Sequence, residues 1–79
     1  MNSRFLGSQV VLVPGASAPA GINTIKSLKM SNIPGKIVAT DSTSLSAGFF
    51  MADVNEILPE ADAQYYVKRL FEIVEKHHV

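Results

Sequence analysis

The segment Pro14-Gly15-Ala16-Ser17-Ala18-Pro19-Ala20-Gly21 holds the residue types best suited to chemistry. Glycine tolerates a left-handed backbone and lets a ligand approach the main chain. A helix beginning at Pro19 aims free N–H groups at an anion such as a phosphate or a carboxylate. Gly15, Ala16, Ser17, Ala18 and Gly21 are therefore candidate substrate- or phosphate-binding residues. Asp41 and Ser42 join them from a second segment. Asp41 stands twenty residues after Gly21, where a dinucleotide site carries an acid for ribose hydroxyls. Each feature also has a plainer reading. Gly15 makes a turn, Gly21 lets a helix pack close to a sheet, and Asp41 bonds within the loop of Ser42 to Ser44. Against G-x-G-x-x-G the match is poor: Gly15 and Gly21 lie six apart and Ala18 takes the middle place.

Other constellations are weaker. Ser17 sits in a G-x-S-x-P context, and a nucleophile elbow needs glycine where Pro19 stands. His77 and His78 are adjacent near the end of an expected helix, so their side chains diverge by roughly 100° and do not share a metal ion. A histidine there complements the helix dipole instead. Asp53, Glu56, Glu60 and Asp62 read as solvated loop charge and a helix cap rather than a hard-metal cluster. Phe49, Phe50, Tyr65 and Tyr66 read as core and rim packing. No catalytic residue and no metal ligand is expected in the chain.

Composition narrows the function classes. The 79 residues form at most one domain, 47% apolar and 18% charged, and the mean hydropathy is +0.19. That is too apolar for a disordered chain. With no cysteine, a disulfide-stapled secreted module and a thiolate metal site are both excluded. Seven basic residues balance seven acidic ones, whereas a nucleic-acid binder shows a basic excess. The balance is uneven along the chain: residues 1–52 carry +3 and residues 53–79 carry −3. The apolar run near the N-terminus, Val10 to Val13, is too short for a secretory or membrane segment. No membrane partner is expected, and a cytoplasmic location follows by default.

The elements that position these residues read clearly. Gln9 to Val13 is a continuous β-branched run, the pattern of a strand covered on both faces in a parallel sheet. Pro14-Gly15 ends it. Ile22, Ile25, Leu28 and Met30 then mark one apolar helix stripe, which Asn32, Pro34 and Gly35 stop. Ile37-Val38-Ala39 form a second strand, closed by Thr40-Asp41. Thr43 to Phe50 reads as irregular, and Glu56-Ile57-Leu58-Pro59 as a short third strand. Asp62 suits the N-cap of a last helix. Its apolar stripe is Tyr66, Val67, Leu70, Phe71, Ile73 and Val74, while Lys68, Arg69, Glu72, Glu75 and Lys76 fill the solvated face.

The order strand, helix, strand, short strand, helix is an α/β pattern. It predicts the first half of a Rossmann-like, doubly wound fold with a parallel sheet, lacking the strand that would follow. In the order 3-2-1-4 the first strand is central. Without the fourth it becomes an apolar edge that invites pairing with another chain. Either self-association through that strand or completion by further segments of a longer protein is expected.

Residues 10–23, Val-Val-Leu-Val-Pro-Gly-Ala-Ser-Ala-Pro-Ala-Gly-Ile-Asn, are followed by a strand ending in Asp41. Ala47-Gly48 and Ala52-Asp53 come next, then Leu58-Pro59 and Asp62. This combination resembles the N-terminal, pre-ATP-grasp domain of ATP-grasp ligases, in particular the carbamoyl-phosphate-synthase-like members. The resemblance covers nearly all of residues 8–79. It implies a Rossmann-like unit that supplies a wall of the active site through its glycine-containing loop, here Gly15 to Gly21. It also implies that ATP and Mg²⁺ bind later domains of the complete enzyme and that this unit alone is inactive. Two other readings stay open. One is a nicotinamide-binding domain of the short-chain reductase or epimerase type, supported by the glycine turn and Asp41. The other is a non-enzymatic α/β association module.

Overall fold

A computed structural model of the chain describes residues 9–31, 35–60 and 64–79. The elements are β1 (Gln9–Val13), α1 (Pro19–Met30), β2 (Gly35–Asp41), a 3-10 turn (Ala47–Phe50), β3 (Val54–Ile57) and α2 (Tyr66–His77). The three strands form one sheet in the order β1-β2-β3. Both pairings are parallel: Val11 lies opposite Ile37, and Thr40 lies opposite Glu56. The expected α/β half-sheet is therefore present. β1 stands at an edge, with no strand on its far side among the described residues. No helix of the described residues is long and apolar enough to cross a membrane.

Alternation along the strands splits the core into two layers. On one face Val13, Ile37 and Ala39 pack with Ile25 of α1 and with Ala16. On the other, Val38 packs with Leu58 and with Ile73 of α2, flanked by Val10, Leu12 and Leu70. Ile25, Val38 and Ile73 are fully buried, each contributing roughly 2 kcal/mol of hydrophobic stabilisation. Covering the sheet on both faces explains the continuous apolar runs Val10–Val13 of β1 and Ile37–Ala39 of β2.

Boundaries and faces differ from expectation in several places. Met30 is 81% exposed, so the α1 stripe ends at half-buried Leu28. β3 begins at Val54 and stops at Ile57, which leaves Leu58 and Pro59 beyond it. The segment expected to be irregular contains the 3-10 turn at its end. Phe49 packs on the core, while Phe50 is 90% exposed and Tyr65 67% exposed. In α2, Val67 and Phe71 are exposed, so its wide stripe divides into a buried face and an open flank. That helix starts after Tyr65, without a side-chain cap. The Asp62 cap and the helix stop at Asn32 and Pro34 lie outside the described residues.

Glu56 differs most from its sequence reading. It is only 9% exposed, because strand alternation turns its side chain under α2. Arg69 Nη2 donates to its Oε1 at 3.0 Å, while Lys76 Nζ and His77 Nε2 meet Oε2 at 2.9 and 2.6 Å. Arg69 Nε also donates to the carbonyl of Ile57 at 3.0 Å. Part of the expected solvated face of α2, together with His77, is thus its anchor to β3.

Candidate functional site

Parallel strands bring their carboxyl ends to one edge of the sheet, and the candidate residues collect there. β1 ends at Val13 and the chain turns at Gly15, whose φ of +62° is the left-handed conformation that glycine favours. Ala18 N–H then donates to the Gly15 carbonyl at 2.9 Å. Pro19 opens α1, where its fixed φ suits the first helical turn and its missing N–H goes unused.

The turn is fastened to the end of β2. Ala16 N–H donates to the Thr40 carbonyl at 3.1 Å, which extends the strand pairing beyond Val13. Asp41 Oδ2 accepts from Ser17 N–H at 2.7 Å, and Oδ1 accepts from Ser42 N–H at 2.7 Å. Burial alone would raise the Asp41 carboxyl, but the bonds from Ser17 and Ser42 outweigh it and hold it below the ordinary value. Ser42 Oγ in turn donates to Glu60 Oε1 at 3.1 Å.

Ala16 is fully buried because two glycines close over it. A β-carbon on Gly48 would collide with the Ala16 carbonyl and side chain, and one on Gly21 with the Gly15 carbonyl. The Ala47-Gly48 segment thus belongs to the site as the floor beneath its turn. Its contact with Ala16 across more than thirty positions of sequence is invisible to local patterns.

Between the strand ends lies a crevice of about 180 Å³, lined among others by Gly15, Thr40, Asp41, Ser42, Glu60 and Tyr66. Of the sequence candidates, Gly15, Asp41 and Ser42 border it directly. Ala16 and Gly21 support the turn from behind. Glu60, which in sequence reads as solvated charge, also lines the crevice. A larger cavity, of about 260 Å³, lies between Gln9, Leu28 and Lys36. It sits at the amino edge of the sheet, away from the ligand edge of such folds. Among the described residues no three histidine or carboxylate side chains converge as a metal site.

The family model described as PylC-like, N-terminal domain matches residues 9–79. The chain belongs to this family, the pre-ATP-grasp domain of ATP-grasp ligases. No curated protein matches the sequence. For a PylC-like N-terminal domain, the match spans β1 to the end of α2, so the turn, Asp41 and the Gly48 floor all lie within it. Asp41 gives one oxygen to each backbone N–H of Ser17 and Ser42, and each oxygen keeps a second acceptor site.

Replacing Asp41 with asparagine should destabilise the domain by about 1 kcal/mol, since one N–H would then face an amide donor. Urea unfolding at neutral pH measures this. A shared fall in amide-exchange protection at Ser17 and Ser42 would locate the loss.

Proposed function

We propose that this chain is the substrate-side wall of a carbamoyl-phosphate-synthase-like ATP-grasp ligase and has no catalytic group of its own. The family match carries the reading. The parent reaction would activate a carboxylate with ATP as an acyl phosphate, which an amine or similar nucleophile then attacks. Mg²⁺ would neutralise charge developing on the phosphate. The nucleotide and its metal would bind later domains of the complete enzyme. A cytoplasmic setting, where ATP is abundant, fits this role.

What the chain would offer is the crevice beside Gly15. At about 180 Å³ it falls short of the roughly 300 Å³ at which small-molecule pockets begin. Partner domains would complete it. Its lining includes the carboxylates of Asp41 and Glu60 and, among the described residues, no lysine or arginine. That charge suits an ammonium group of an amine-bearing acceptor better than a phosphate, which the two carboxylates would repel. Gly15 to Gly21 would shape the wall, with Ser17 and Ser42 held in place by Asp41.

Two titrations of isotope-labelled chain, followed by amide NMR, test the proposal. Amino acids carrying a free amine are expected to shift Gly15, Ser17 and Ser42 weakly, and NADH to shift none of them. ATP turnover by the chain alone, with any panel of acids and amines, would overturn the division of labour. Saturable micromolar binding of NADH would favour the reductase reading instead.

A further inference from the structure

Two buried hydroxyls, Thr40 Oγ1 and Ser46 Oγ, have no hydrogen-bond partner among the described residues. Both residues are fully buried, so bulk water does not satisfy them either. A buried hydroxyl without a partner costs stability, and folded proteins keep few of them. Of the two, Thr40 lines the crevice at the carboxyl edge of the sheet. Its carbonyl is already taken by Ala16 N–H, but its hydroxyl is unspent. Strand alternation puts the Thr40 side chain on the face of Val38, beneath α2. Leu58 and Tyr66 line the crevice from that same face. Thr40 is buried, Asp41 half-buried and Glu60 exposed, so the crevice is charged toward its rim and neutral at its base.

We propose that Thr40 is a specificity-determining residue of this crevice, its hydroxyl accepting a hydrogen bond from the primary ammonium group of the acceptor. The inference rests on the substrate-side role proposed above. The carboxylates of Asp41 and Glu60 attract a cation of any kind. The hydroxyl distinguishes a cation that carries N–H donors from one that is fully alkylated. A turn about χ1, which exchanges the hydroxyl with a methyl of similar size, presents it to the ligand. An unpaired hydroxyl kept in the free chain for use in the bound one exchanges stability for function.

The test titrates isotope-labelled wild-type chain, Thr40→Val and Thr40→Ser with methylammonium and with tetramethylammonium. The amides of Gly15, Ser17 and Ser42 report binding. The wild type is expected to bind methylammonium about tenfold more tightly than tetramethylammonium, the effect of one hydrogen bond to a charged group. Thr40→Val should abolish that preference and leave tetramethylammonium binding unchanged, while Thr40→Ser should retain it. Urea unfolding should move the other way, with a higher midpoint for Thr40→Val, because valine removes the unpaired hydroxyl and keeps the shape. A residue that served packing alone would not lose ligand preference while gaining stability. The inference fails by itself if the wild type and Thr40→Val prefer methylammonium to the same degree, or if Thr40→Val lowers the urea midpoint. A wild-type crevice that neither ion shifts would overturn the substrate-side reading as well.

Discussion

Gly48→Ala should cost the fold about 3 kcal/mol, the upper part of the range for overpacking a filled site. The added methyl would meet the carbonyl and β-carbon of Ala16, and neither can retreat easily. Ala16 is fully buried, and its N–H is tied to Thr40 at the end of β2. Chains of this length rarely hold more than roughly 3–5 kcal/mol in reserve, so the variant should be largely unfolded at 37 °C. Gly15→Ala makes an informative comparison. Its β-carbon has open space within 4 Å, and the penalty comes from a φ of +62° alone. That conformation costs an alanine about 1 kcal/mol. Urea denaturation of the two variants should separate them by at least a factor of two in lost stability. Equal losses would mean that the turn does not rest on the Gly48 floor.

The second large effect is expected at Glu56. Three cationic or donor side chains converge on its carboxylate. The bond from His77 is the largest influence; burial opposes it, and Lys76 and Arg69 add to it, holding the Glu56 carboxyl at about 2 rather than the ordinary 4.5. The folded value lies below the unfolded one, so the cluster stabilises the protein fully above about pH 4.5. That contribution is lost as pH falls through about 2. Arg69 and Lys76 are partly open to solvent, which screens their share, and about 2 kcal/mol is a reasonable net size. Glu56→Gln should therefore lower stability by about that amount at pH 7. It should also flatten the acid limb of the stability curve between pH 5 and 2. Thermal melts of both proteins across that range check it. Parallel curves for the two would assign the acid sensitivity to other carboxylates.

The sequence and the structure agree where physics acts locally. A β-branched run with no polar interruption announces a strand covered on both faces, and β1 packs Val11 and Val13 on one side and Val10 and Leu12 on the other. Pro19 marks the start of α1 because proline's fixed backbone serves the first helical turn. The glycine turn and Asp41 are legible as neighbours because a crossover of this length returns the chain parallel to itself. Glu56 was not legible in the same way. Its burial depends on a strand register and on side chains reaching from α2, and in sequence it resembles any loop acid. Gly48 shows a similar limit: its neighbour Ala16 is known only once the fold is known. The open flank of Val67 and Phe71 defeats periodicity from the other side. A helix stripe records which residues are apolar, not how many of them the sheet beneath can reach.

The main-chain bonds that run on beyond the strands have a further consequence. Ala16 is bonded to Thr40, and Leu58 N–H to the Asp41 carbonyl. The corner between strand and helix is therefore zipped together in the same cooperative event that forms the sheet. Under the proposed role this wall would need no further chain ordering when a ligand arrives, and partner domains would supply the rest of the enclosure.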